Sequence, residues 1–255
     1  MKFKEINITA LRLNRNKYLS SFVINTFYMF FFVVITAGIV LTDYFLTDKI
    51  LNINTVLLNL IRTALFLMFM ILAAIVSSSV SMGQTAVFSG RINRKKASFK
   101  RILYWLKPSK SLKALGLNLT LILLKIMWAS AFLFPGSVIL TTIVYLAFTG
   151  GIEIYLLLSL FISGTVLILA GAIFTFIITQ RYFLAKFLLA ENTKLGVIQV
   201  IKQSKNLMEF QLMTVVKFKL SYIFPFILSF LIFPLIFLYP HYKQSISILA
   251  KELTV

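Results

Sequence analysis

The sequence contains no cysteine and a single histidine, His241, and only seven of its 255 residues are aspartate or glutamate. The missing thiols exclude disulfides, Cys-ligated zinc, thiol catalysis and a lipid-modified cysteine. Seven carboxylates and one imidazole leave little material for acid–base chemistry. No Asp or Glu falls inside any long apolar run. Coupling of transport to protons or sodium through an embedded carboxylate therefore has no candidate, and the remaining device is an unwound backbone site around Pro135-Gly136, Gly164 or Gly171. No Walker-type lysine motif is present, so the chain cannot power transport alone. No catalytic residue, cofactor or metal is expected.

What is abundant is apolar. The chain is 60% hydrophobic and 13% charged, against about 45–50% and about 25% in soluble domains. A membrane helix needs about 20 apolar residues, because a helix rises about 1.5 Å per residue through a core about 30 Å thick. Such runs fall at about 20–41, 56–80, 114–148, 154–178 and 219–239. The third is long for one crossing and contains Pro135, and the last contains Pro225 and Pro234. The expectation is an all-α, polytopic transmembrane helix bundle of five to six spans, 1–255 forming one integral membrane domain, with basic amphipathic cytoplasmic helices. The first run is about 22 residues with no cleavage-like site after it, so it is expected to stay as a span.

The net charge of +19 sets orientation. Basic residues stay cytoplasmic in short loops. Lys2, Lys4, Arg12, Arg15 and Lys17 precede the first span, with Glu5 the one acid. The stretch from Ser81 to Lys113 has nine cations and no acid, and that from Thr179 to Lys219 has seven against Glu191 and Glu209. The intervening turns hold Asp43, Asp48, Lys49 and Glu153. The N-terminus and both long loops are thus expected on the inner face of a bacterial plasma membrane. The side of the tail from His241 to Val255 is open: one crossing in the last unit places it outside, a hairpin broken near Pro225 or Pro234 inside.

Phe3, Ile6, Ala10 and Leu13 recur at helical spacing, which predicts an amphipathic helix before the first span. Val197, Val200, Ile201, Ser204 and Met208 form a second such face, with Thr193 as its candidate cap. Both suit a membrane interface, the first also partner docking. Six cations of the basic loop, Arg91, Arg94, Lys95, Lys96, Lys100 and Arg101, are candidates for docking a partner or touching anionic headgroups. Nucleic acid is not expected, since loop charge already has the topological explanation. Within the spans, Lys125 and Arg62 are candidates for contact with substrate or lipid. Arg62 lies near the outer end and can snorkel, whereas Lys125 lies about 11 residues into its run, roughly 16 Å along the axis. Ser77-Ser78-Ser79 and Ser81 close the second run; they suit packing or a polar path.

The two ends carry a resemblance. The start MKFKEINITALRLNRNKYLSSF, the stretch YFLAKFLLAENTKLGVIQVIKQSKNLM from Tyr182 to Met208, the following Leu220-Ser221-Tyr222-Ile223 and YPHYKQSISILAKEL resemble the DUF975 family of uncharacterised bacterial multi-span membrane proteins. Phe134-Pro135-Gly136 is similar to that family's IPG. The likeness covers about the first 25 and last 75 residues. The gap from FPG to LLAEN is longer here, and Glu209 stands where the family has glycine. The resemblance implies a multi-span plasma-membrane protein and brings no catalytic residues.

The function expected is a non-enzymatic transport or export component, a permease-like subunit depending on a separate ATPase or envelope complex. The alternative is a membrane scaffold or immunity-type protein that binds another membrane protein or a hydrophobic peptide. A lipid-handling enzyme would have to draw its acid or base from Asp43, Asp48, Glu153, Glu191, Glu209 or His241.

Overall fold

The computed structural model describes residues 3–14, 33–34, 36–38, 40, 55–92, 100–149, 153–228 and 232–254. The described residues are helical, with no strand among them. The elements are α1 (Phe3–Asn14), α2 (Thr55–Ile92), α3 (Lys100–Trp105), α4 (Pro108–Thr149), α5 (Ile154–Thr179), a 3₁₀ turn (Gln180–Tyr182), α6 (Ala185–Glu191), α7 (Val197–Leu207), α8 (Leu212–Leu220), α9 (Ile223–Leu228) and α10 (Ile232–Glu252). They divide into two compact units, one of 1–117, 186–197 and 222–255, the other of 118–185 and 198–221.

Among the described residues three helices are long and apolar enough to cross a membrane, or up to four if the pair Val197–Leu207 and Leu212–Ile227, bent by 88°, counts as one broken span. Most of the expected first span, 20–41, lies outside the described residues. The expected spans 56–80 and 154–178 fall within α2 and α5. The third run is a single 42-residue helix that continues through Pro135. The break considered there does not occur: proline frees one backbone carbonyl, that of Ala131, and a long apolar helix absorbs that loss. The expected last span, 219–239, is not one helix. It is divided among α8, α9 and α10. Both later segments begin with Ile-Phe-Pro, so Pro225 and Pro234 sit in a first turn, where the missing N–H has no intrahelical partner to lose.

In the first unit, α2 changes character along its length. Its 38 residues extend about 57 Å, nearly twice the bilayer core. Leu60, Phe66, Leu67, Met70 and Ile71 are exposed, while Ser78, Ser79, Val80, Met82, Val87 and Phe88 are buried. The upper part is largely apolar and mostly exposed; the lower part is a packed helix. Val80 and Val87 bury against Ile102 of α3. Between them, a Cβ at Gly83 would stand 2.8 Å from the Ile102 Cα, so glycine is what lets the two backbones meet.

Helix α1 packs on α10 through Ile6, Ala10 and Asn14, and α10 packs on α2. Seven consecutive α10 residues, 244–250, are buried. Burial on every face makes this helix the centre of a packed base formed with α1, α3 and the lower half of α2. The tail whose side was open therefore lies beside α1 and the C-terminal half of α2. Of the predicted α1 face, Ile6 and Ala10 are fully buried and Phe3 and Leu13 partly so.

In the second unit, α4 and α5 form a close pair. The two buried residues of α5 are Gly164 and Gly171. A Cβ at Gly171 would meet the Phe132 carbonyl oxygen at 2.3 Å, and one at Gly136 would meet Ile168 at 2.6 Å. Without apolar contrast against lipid tails, membrane helices associate through such close approach at small residues. Phe132 stacks on both Trp128 and Phe174 at 5.9 Å. Of the expected face of α7, Val200, Ser204 and Met208 are buried, and Lys202 and Lys205 are exposed. Thr193 does not cap it, since α7 begins at Val197.

Candidate functional site

The first unit holds a cleft of about 670 Å³. Four separated stretches build it: Ala86, Ser89 and Gly90 of α2; Arg101, Tyr104 and Trp105 of α3; Leu188, Ala190, Glu191 and Thr193; and Lys251 and Thr254 at the end of α10. The small residues of α2 make the wall. A Cβ at Gly90 would stand 1.7 Å from Arg101 Nη1, so the glycine is the seat of that guanidinium. Arg101 Nη1 donates to the Ala86 carbonyl at 3.4 Å.

Opposite lies Glu191, whose carboxylate accepts a 3.1 Å hydrogen bond from the Ser89 hydroxyl. The Tyr104 ring is flanked by the ammonium groups of Lys107 and Lys110, each 5.8 Å from its centroid. Its hydroxyl bonds the Thr193 side chain, and with the two lysines this holds the phenol below its usual pKa. The Thr193 backbone is fixed in turn: Lys113 Nζ donates to its carbonyl at 3.1 Å and to that of Leu195 at 3.4 Å. The cleft is thus polar, cationic on balance, and backed by buried Trp105.

A second polar cluster joins the termini. The Tyr222 hydroxyl lies 2.7 Å from Asn7 Oδ1, 2.9 Å from Ser245 Oγ and 3.2 Å from His241 Nδ1. His241 Nε2 faces the Asn7 carbonyl at 3.3 Å. A carbonyl only accepts, so Nε2 carries a proton toward Asn7, while the single Tyr222 proton goes to Asn7 Oδ1. Burial pushes the His241 pKa down, which keeps the ring neutral. Beside it, burial foremost, then Tyr222 and Tyr239, pushes the Tyr242 phenol up to about 12.

The sequence-derived candidates scatter. Arg91 is 1% exposed and belongs to the interior of the base. It donates a 2.9 Å hydrogen bond to Asn14 Oδ1 and lies 5.1 Å over the Phe88 ring, so it is not a surface group. Arg94, Lys95 and Lys96 lie outside the described residues. Lys100 is exposed and Arg101 lines the cleft. Arg62 is half-buried in α2 and Lys125 exposed on α4, one turn before Trp128, whose Nε1–H donates to the Tyr182 hydroxyl at 3.2 Å. Ser78 and Ser79 pack in the interior of the base, and Ser81 accepts from Lys186 at 3.3 Å. Helices α4 and α5 run unbroken past Pro135, Gly164 and Gly171, so no unwound backbone site exists there. Of the five acids and the lone imidazole weighed for catalysis, Glu191 and His241 sit in the two clusters; Asp43 and Asp48 lie outside the described residues. Among the described residues no group of three His, Asp or Glu side chains could hold a metal ion.

Sequence reasoning missed Lys251, Glu191 and Thr193 as one cleft. The available signal was the spacing of Gly83 and Gly90 by seven residues in register with Val80 and Val87, which marks a packed face of α2 beyond the apolar run. No family model, curated protein or solved structure matches the chain.

Proposed function

We propose that this chain is a non-enzymatic, multi-span component of a bacterial plasma-membrane transport or export assembly, whose base docks a separate cytoplasmic ATPase. The single observation that supports it is the gathering of the basic stretches. The residues of α1, the lower half of α2, α3, 186–197 and α10 belong to one unit, although long apolar segments separate them in the sequence. By the positive-inside rule this base is cytoplasmic, and both termini with it. The likeness to the DUF975 family agrees with a multi-span plasma-membrane location.

In this reading Trp128 and Tyr182 form part of an interfacial aromatic belt. Lys125 is three residues away, about 4.5 Å along α4. It then contacts anionic headgroups at the belt rather than sitting deep in the core. Arg62 snorkels at the opposite end of α2. The exposed Lys100 meets the partner or the same headgroups.

The α4–α5 pair favours a second reading. Its contact is closed by glycines and its helices are unbroken, as suits a scaffold that binds another membrane protein or a hydrophobic peptide without a path of its own. Affinity purification of the tagged chain from its native membrane in mild detergent, read by mass spectrometry, separates the two. A stoichiometric ATPase supports the export component; a co-purifying membrane protein or peptide without an ATPase replaces it with the scaffold.

A further inference from the structure

The cleft of the base is built for a ligand more specific than a charged surface. Its lining places the cations Arg101 and Lys251 with the carboxylate of Glu191 and the hydroxyls of Ser89, Thr193 and Thr254. Its volume of about 670 Å³ lies within the range of small-molecule sites, about 300–1,000 Å³, and exceeds what a bare inorganic anion fills. Arginine's planar fork matches phosphoryl oxygens bidentately. Here the fork is seated by Gly90, and the 3.4 Å bond to Ala86 engages one of five guanidinium donors. Glu191 repels a bare anion but accepts from a hydroxyl, which selects a ligand carrying both groups.

We propose that this cleft binds a small phosphorylated compound with a hydroxyl near its phosphoryl group, Arg101 and Lys251 taking the phosphoryl oxygens and Glu191 the hydroxyl. A lipid headgroup and a soluble phosphate ester share this chemistry. The register of α2 favours the soluble source. Burial of α2 begins at Ser78, and Ala86 to Gly90 follow 8–12 residues later, about 12–18 Å along the axis. The headgroup layer is about 5–8 Å deep on each side. The inference stands on the cleft alone, so loss of ligand binding with the partner complex intact, or the reverse, separates its fate from that of the docking reading.

The test uses the full chain in phosphatidylcholine nanodiscs titrated with glycerol 3-phosphate by calorimetry, beside nanodiscs containing phosphatidylglycerol. Saturable binding is expected, weakened at least tenfold by Arg101→Gln and severalfold by Gly90→Ala, which displaces the guanidinium but keeps its charge. Glu191→Gln is expected to weaken glycerol 3-phosphate while leaving inorganic phosphate as tight or tighter. Lys202→Gln, an exposed site on α7, changes nothing. Arg101-dependent occupancy by phosphatidylglycerol alone would keep the phosphoryl site and make the headgroup its source. Absence of saturable binding by either probe, or equal binding by wild type and a thermally intact Arg101→Gln, would overturn the proposal.

Discussion

Arg91 donates a 2.9 Å hydrogen bond to the side-chain carbonyl of Asn14, and the amide of Asn14 donates in turn to the Pro240 carbonyl at 3.3 Å. One buried asparagine thereby ties α1, α2 and α10 together. Breaking a buried bond to a charged group leaves its partner desolvated and costs about 1–3 kcal/mol. Asn14→Ala should lower stability by that amount, read from thermal unfolding in detergent. The double variant with Arg91→Ala should lose less than the two single losses combined, because the pair shares one interaction. Additive losses would show that the two residues act separately.

The glycines of the second unit should rank by what their missing side chains would strike. At Gly171 the obstacle is the backbone carbonyl of Phe132, at 2.3 Å; at Gly164 it is the Leu140 methyl, at 2.9 Å. A methyl can rotate away, whereas the carbonyl belongs to a helix. Gly171→Ala should cost about 1–3 kcal/mol, the usual range for overpacking, and Gly164→Ala distinctly less. Unfolding midpoints measured in one detergent compare them directly, and a reversed order would mean that the pair is not held where these contacts place it.

A similar contrast separates Gly83 from Gly90 in the base. Gly83 faces the Ile102 backbone, and Gly90 only the mobile end of Arg101. Gly83→Ala should destabilise the protein by about 1–3 kcal/mol through forced separation of α2 and α3. Gly90→Ala should leave the melting temperature nearly unchanged while moving the guanidinium. Equal destabilisation would mean that Arg101 is held more firmly than its single 3.4 Å bond implies.

The apolar runs near 56–80 and 154–178 were legible because membrane spans need length and apolarity, both local properties. The lower half of α2 was not. Once Ser77 to Ser81 lowered the hydropathy, the run seemed to end, yet the helix continues because its small polar residues face other helices. Arg91 was misplaced for the same reason. Charge counting assigns every cation of a loop to water, and its burial depends on Asn14, 77 residues away. The cleft combines four stretches that no local pattern links. Pro225 and Pro234 were legible as break points because each falls in the first turn of a new helix, whereas Pro135 stays inside α4, so a proline alone does not decide a break.

Acid should loosen the contact between the termini. Burial lowers the His241 pKa from its ordinary value of 6.5, so the unfolded chain takes up this proton before the folded one. The contribution is complete above about pH 6.5 and is lost as pH falls from there through the lower folded-state value. Melting temperature should therefore fall between about pH 7 and pH 5, and His241→Gln should flatten that part of the profile. An unchanged slope in the variant would assign the pH response to other groups.

The base also fixes a topology that labelling can check. Asn7 and His241 meet at 3.3 Å, so α1 and α10 must share one side of the membrane, whichever side that is. Glu153, at the N-cap position of α5, should lie on the other if α4 and α5 make two crossings. The absence of cysteine makes the wild-type chain a ready background for single-cysteine scanning. Lys4→Cys and Glu252→Cys, both at exposed positions, should react alike with a membrane-impermeant maleimide, and Glu153→Cys oppositely. The positive-inside rule adds the sign: Glu153→Cys should label in intact cells and the other two only after permeabilisation. Opposite labelling of Lys4→Cys and Glu252→Cys would break the α1–α10 contact, and with it the account of the base. Labelling of all three with the sign reversed would leave the base intact and overturn only its cytoplasmic placement.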